Sequence, residues 1–422
     1  MRAQAAISSI LNYPDPSRSA FRPYATRGAR KRVPEEITVE VVDNVEDLTT
    51  HVAGWEELAA GALEPNVFYE AWMLRPAARA FANGDSLRFV LVYQSDPVSR
   101  KRRLCGFFPV EKRRFYRGLP ISALVLWRHI HCFICTPLLH ADHAREALDA
   151  FLDWAADDPR GAPLIEFGYT AADGSFRKLV IDCLNERKAV YQVPTTFNRA
   201  LLVPADSAEA FLNAALSSGF RKETRRLRKR LAESGRLETR VLSSEADFDS
   251  WLKQFLELEA SGWKGSSGTG TAIALSRSES TFLEETWREA IRRDRLQLIG
   301  LFLDGRPIAL GANILAGDGG FHFKICYDES LARFSPGVLL ELALIQHIHG
   351  LRSIRWVDSC ATPDHPMINR LWPGRRTMQT MVLSTGRFGA DMAVSLLPAL
   401  RWAKGLGRRW VSVARKEEEA RP

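Results

Sequence analysis

Ser335-Pro336-Gly337 opens an almost wholly apolar stretch that ends at Gly350, directly after the alternating run Phe321 to Asp328. The pattern predicts a strand, a turn and a helix. Ser335 is a capping type, Pro336 suits a first helical position, and Gly337 leaves the backbone bare. A helix start carries amide hydrogens with no acceptor inside the helix, and a partial positive charge. Gly337 and the amides of Val338, Leu339 and Leu340 therefore form a candidate anion site of the kind that holds pyrophosphate. In the preceding strand, a two-residue period puts His322, Lys324 and Cys326 on one face and Phe321, Phe323, Ile325 and Tyr327 on the other. The second set reads as core. A buried lysine needs a partner, and Asp358, ending SIRWVD, is the acid expected to meet Lys324.

Three other stretches could do chemistry. SGWKGSSGTG follows a predicted helix ending near Glu259. Its Trp263 and Lys264 suggest a mobile lid with an aromatic platform and a cation for an anionic or sugar-bearing acceptor. The competing reading is a connection with one Trp anchored in the core. WRHIHCFICTPLLHADH offers Cys-x-x-Cys with His129, His131, His140 and His143, but Phe133-Ile134 supplies no glycine knuckle and no second cysteine pair exists. If the run is a strand, Cys132 and Cys135 point to opposite faces. No metal is expected. RKETRRLRKR, residues 221–230, holds seven basic side chains and one acidic. It suits phosphates, an anionic membrane surface, or a solvated face lining an acceptor site.

Bulk composition bounds these readings. The 422 residues, 46% hydrophobic and 26% charged, suit two globular units rather than a disordered chain. The net charge of +8 is local. Residues 1–36 contribute +4 and residues 221–230 contribute +6, leaving the rest slightly acidic. Six scattered cysteines suggest a reducing compartment, and no apolar run approaches the ~18 residues of a membrane span. With no signal-peptide core at the N-terminus, a cytoplasmic location is expected.

The elements that must position these residues come in a repeated order. Residues 1–34 read as a disordered basic tail, 35–204 and 205–390 as two modules, and 391–422 as a C-terminal helix and charged tail. Each module reads as strand, helices, three strands, helix, strand, helix, strand. In the second, helices are expected over about 208–233, 245–260 and 279–294, with a hairpin turning at Gly305.

The stretches SGFRKETRRLRKRLAESG, ELEASGWKGSSGTG, YDESLARFSPGVLLELALI and VDSCATPDHPMINRLWP, in that element order, resemble the GNAT acyltransferase superfamily. Its mixed sheet splays between the fourth and fifth strands. Two such modules in one chain are similar to the Fem-type aminoacyltransferases and, more closely, to the acetyltransferase family typified by the cellulose-biosynthesis protein CelD. This chain departs from the common Asp-x-Gly pattern, reading Asp358-Ser359-Cys360 with no lysine following. The resemblance implies an α/β fold of two tandem GNAT-like modules, each a splayed, mostly antiparallel sheet flanked by helices. It implies acetyl-CoA-dependent N-acetylation, with the coenzyme pyrophosphate at Ser335, Gly337, Val338, Leu339 and Leu340. Glu259 or Asp358 is then the expected base, and Tyr327 or Cys326 the donor to the leaving thiolate, with Lys324 in the cleft. Trp263, Lys264 and His322 are expected on the acceptor, a sugar amine or other small amine of polysaccharide or cell-envelope metabolism. The alternatives are a Fem-type aminoacyl-tRNA-dependent ligase and a binding module with degenerate coenzyme sites. Nucleic acid is the less favoured partner; peripheral membrane contact through the final stretch is retained.

Overall fold

Turn chemistry and alternation resolve into thirteen strands and ten complete helices among the described residues of a computed structural model, which are 36–82, 84–95 and 101–399. The first half begins β1 (Glu36–Val42), α1 (Val52–Ala60), α2 (Ala71–Phe81), β2 (Leu87–Ser95), β3 (Arg102–Arg113) and β4 (Ala123–Leu126). It continues β5 (Leu138–Leu139), α3 (Ala144–Asp157), β6 (Leu164–Ala171), α4 (Ser175–Arg187) and β7 (Tyr191–Leu202). The second half begins α5 (Ala208–Ala215), α6 (Ser218–Ala232), β8 (Leu237–Val241), α7 (Phe248–Ser261) and α8 (Arg277–Arg292). There follow β9 (Leu296–Leu303), β10 (Arg306–Ala316), β11 (Gly319–Tyr327), α9 (Pro336–Gly350), β12 (Trp356–Asp358), α10 (Pro366–Leu371) and β13 (Gly374–Ser384). A last helix, α11, occupies residues 390–399. The expected tail 1–34 and the end of the expected C-terminal segment, 400–422, lie outside the described residues.

Local signals explain most of these boundaries. Asp304 and Gly305 both take positive φ, 49° and 81°, as a two-residue turn matched to strand twist requires. The single helix expected over 208–233 is two. Ser217 is extended and its hydroxyl accepts the Phe220 amide, a cap that restarts the chain as α6.

All strands join one mixed sheet, in the order β1-β2-β3-β4-β6-β13-β7-β12-β11-β10-β9-β8, with β5 beside β3. The middle of that order is crossed over. β13, from the second half, pairs with β6 of the first, and β7, from the first, pairs with β12 of the second. β7 and β13 also pair with each other over most of their length. The two halves thus share their last strands.

The sheet separates two apolar layers. Helices α1, α2, α3, α4, α7 and α8 contribute to the larger core, and α5, α6, α9 and α10 to the other. α9 has apolar residues on every side because β9, β10 and β11 support it from below while α5 and α6 cover it. No helix among the described residues is long and apolar enough to cross a membrane.

Candidate active site

β11 is bonded to β12 only at its start, Gly319–Phe321 against Trp356–Asp358. Beyond Phe321 the strands part. From His322 to Tyr327 one edge of β11 has no strand partner among the described residues, and an unpaired edge can receive an extended ligand. On its other edge the ladder with β10 slips: Ala312 faces Lys324 while Asn313 faces His322, leaving Phe323 as an extra residue. Such a bulge breaks the two-residue period. The expected grouping of His322, Lys324 and Cys326 is therefore corrected. Lys324 and Cys326 lie on the α7 and α8 side with Phe321 and Phe323, whereas His322 lies on the α9 side with Ile325 and Tyr327.

On the α9 side, Ser335 does not cap as expected. It holds a left-handed conformation, φ 52° and ψ 55°, and makes no side-chain capping bond. Pro336 has no N–H and Leu339 donates to the Ser335 carbonyl, so Gly337 and Val338 present the uncapped amides of the turn. A Cβ on Gly337 would sit 3.3 Å from the Tyr327 ring and 3.7 Å from the Met367 sulfur. Beside this turn is a cavity of about 530 Å³ bordered by Ser335, Val338, Arg226, Arg230, Arg333 and Arg370. Arg226 is paired with Glu223 at 2.6 Å. Arg230 also acts on Glu223, which borders the same cavity; among the described residues Arg333 and Arg370 have no carboxylate partner and lie over the rings of Phe334 and Phe220. Leu339 and Leu340 are buried and do not border this cavity; Leu340 packs toward Gly311 of β10.

Below it, His322 Nδ1 is 2.8 Å from the Asn313 side-chain oxygen, and its Nε2 is 2.8 Å from Glu341 of α9. That second contact is too poorly aligned to be a hydrogen bond, so both Glu341 oxygens are buried without one. Trp372 packs against the His322 ring. Sequence reasoning passed over Glu341, although a lone acid inside an apolar helix was the available signal.

The opposite face gathers charges from both halves. Glu259, 3% exposed, accepts from Lys264 Nζ at 2.9 Å and from the Ile273 amide at 3.0 Å. Both oxygens are engaged, so Glu259 acts as an anchor, contrary to its expected role as base. The loop after it is pinned as well. The Trp263 amide donates to Glu329 at 2.9 Å, Thr269 to the Trp263 carbonyl, and Ala272 to the Lys264 carbonyl. The mobile lid is thus corrected to a knitted loop that leaves the Trp263 ring 56% exposed. Lys324 lies near Glu259, Lys264 and Glu279; burial, then Lys264, holds its ammonium below the ordinary lysine range. His131 of the first half lies 3.0 Å from Glu279 of the second, and burial lowers its pKa against the pull of that carboxylate. Burial pushes the Cys326 thiol up, so it holds its proton tightly, and it lies on the α7 side of β11, away from the start of α9.

Asp358 does not meet Lys324. It is fully buried, with Arg199 Nε and Nη2 at 2.6 and 2.7 Å and Arg376 Nη1 at 2.8 Å. Burial would raise its pKa, but Arg199 and then Arg376 outweigh this and hold the carboxyl below the usual aspartate range. These bonds make it a structural hub and not a free base.

The first half has no equivalent free edge. After β4 its chain takes a long excursion in which the Cys135 amide donates to the Tyr169 carbonyl of β6, and Asn66 holds the Ile134 and Thr136 carbonyls. The gap is filled by its own backbone. The excursion is not a strand, so Cys132 and Cys135 do not oppose each other as expected; their sulfurs are 3.8 Å apart. No group of residues suited to a metal ion occurs among the described residues.

Residues 218–365 match the acetyltransferase (GNAT) domain family. That match spans α6, the Glu259 loop, the free edge of β11 and the start of α9, so the chain contains a GNAT domain. No curated protein matches the chain. Among solved structures, FemX is similar with a TM-score of 0.51 at 12% identity, covering 78% of this chain and 95% of that one. A conserved protein of unknown function from Bacteroides thetaiotaomicron is similar at 0.51 and 11% identity, covering 82% of this chain and 100% of its own. A tandem GNAT protein from the clavulanic acid biosynthesis pathway covers 83% of this chain and 99% of its own at 14% identity, with a TM-score of 0.37. Likeness at these identities speaks to fold alone.

Proposed function

We propose that this chain transfers an acyl group from an acyl-coenzyme A, acetyl-CoA in the first instance, to an amine. The carrying observation is the coincidence of the free β11 edge with an uncapped helix start ringed by Arg230, Arg333 and Arg370. These residues fit the group: amides and guanidinium ions suit phosphate oxygens, and Gly337 leaves room where a side chain would crowd Tyr327. The edge from His322 to Tyr327 offers backbone partners to an extended amide-bearing arm. Bound there, the thioester supplies the activated acyl group. Tyr327, 36% exposed at the end of that edge, is suited to give a proton to the leaving thiolate. His322, held by Asn313, with Glu341 behind it, is the acid–base pair nearest the start of the edge. We assign the amine to the face with Trp263, Lys264 and Lys324. On the family resemblance it is a sugar amine or similar small amine of polysaccharide or cell-envelope metabolism.

Titration calorimetry with acetyl-CoA on the full chain should show saturable binding. Gly337→Glu should abolish it, and Arg333→Ala or Arg370→Ala should weaken it by about tenfold each, the worth of one charge-assisted hydrogen bond. No binding at millimolar acetyl-CoA would overturn the proposal. The second reading, an aminoacyl-tRNA-dependent ligase, is favoured by one observation: α6 carries seven basic side chains beside the same helix start. Tight tRNA association that falls steeply with salt, without thiol release from acetyl-CoA, would select it.

A further inference from the structure

We infer that the end of the sheet formed by the β3–β4 connection and α11 is a docking surface for an anionic lipid bilayer. α11 is anchored by Val394 and Leu397, which are buried against Tyr116, Val125 and Val382. Its outer side is also apolar. Phe388, just before the helix, is fully exposed; Met392 is 65% and Leu396 47% exposed. Within the helix, the spacing of four residues puts Met392 and Leu396 on one face, and Phe388 stands in the turn that leads into it. Beside them, in the sequence Lys112-Arg113-Arg114-Phe115-Tyr116-Arg117, Phe115 is 68% exposed while Tyr116 reaches into the α11 contact.

Two separate elements thus present large apolar side chains on one surface, held together by a small core of their own. Scattered exposed hydrophobics are ordinary, but an aligned set on an unpartnered helix marks an interaction site. Charge selects the occupant. Lys112 and Arg114 have no acidic partner among the described residues. Arg113 and Arg117 stand 3.6 Å from Glu111 and Glu166, and Asp391 is the exposed acid on the helix. Aromatic and aliphatic side chains set among Lys and Arg are the composition of a surface that inserts to headgroup depth in an anionic leaflet. A second copy of the chain would bring like charge to like charge, and nucleic acid gives an exposed Phe, Met and Leu nothing to bury against. This inference does not rest on the acyl-transfer reading.

Flotation of the full chain with phosphatidylcholine vesicles, and with vesicles containing about a third phosphatidylglycerol, tests it. The chain should float at least about tenfold more with the anionic vesicles, and less as salt rises. Phe115→Ser with Phe388→Ser should reduce that binding by at least about tenfold with no change in urea midpoint, since both positions are exposed. Lys112→Glu with Arg114→Glu should abolish the preference for anionic vesicles. Equal flotation of the Ser variant and the parent, or no flotation at all, would overturn the inference. So would a dimer in light scattering that Phe388→Ser converts to monomer, or tRNA binding that the same two Ser substitutions abolish.

Discussion

At the scale of single residues, the two buried acids near the cleft are held in opposite ways, and their substitutions should diverge. Asp358 Oδ2 accepts from Arg199 and Arg376, and its Oδ1 accepts the Cys360 amide. Asp358→Asn strands the buried Arg199 guanidinium and the half-buried one of Arg376, and should cost about 3–5 kcal/mol in urea unfolding. Its depressed pKa also sets a pH window. A carboxyl held lower in the folded chain contributes stability above its unfolded value near 3.9, and that contribution is lost as pH falls through the folded value. The parent should therefore lose stability steeply below about pH 4, and Asp358→Asn should show a shallower acid limb by circular dichroism. Glu341 has no hydrogen bond on either oxygen. Glu341→Leu removes an unsatisfied polar group from an apolar layer and should raise stability by about 1 kcal/mol or more. If it serves catalysis, the same substitution lowers acyl transfer at least tenfold, and unchanged kcat would remove it from the mechanism.

At the scale of elements, the two serines that precede helices α8 and α9 give a matched comparison. Ser276 accepts the Glu279 amide at the start of α8, so Ser276→Ala should cost about 1 kcal/mol. Ser335 makes no such bond, so Ser335→Ala should change stability by less than about 0.5 kcal/mol, as thermal melts would show. The turn Ser335-Pro336-Gly337 was legible in the sequence because its information is local. The side of β11 on which Lys324 falls was not. Alternation assumes one residue per pleat, and the extra residue Phe323 inverts every assignment before it. The Lys324–Asp358 pair failed because Asp358 is claimed instead by Arg199 of β7 and Arg376 of β13. Arg333 and Arg370 were missed, each lying on a different element, whereas Arg230 belongs to the basic run that the sequence showed.

At the scale of the whole molecule, the repeated order of elements was readable, whereas the exchange of β7 and β13 was not, since strand pairing across the halves leaves no mark on local periodicity. Expressed alone, residues 1–204 would leave β6 without β13 and β7 without β12. Fragments 1–204 and 205–422 should each be insoluble or molten, and co-expression should recover a soluble pair, as size-exclusion chromatography would reveal. β13 also runs in the same direction as β11, so the chain leaves both strands toward one edge of the sheet. The segments that lead to α9 and to α11 therefore begin at the same end of the sheet. The exchange has a further consequence during synthesis. β6 leaves the ribosome roughly 200 residues before β13, which at about 5–20 residues per second is some 10–40 seconds. For that interval a nascent chain carries an open strand edge beside finished structure. The timing of translation, and the chaperones present while it proceeds, should therefore govern the yield of this protein more than its final stability does.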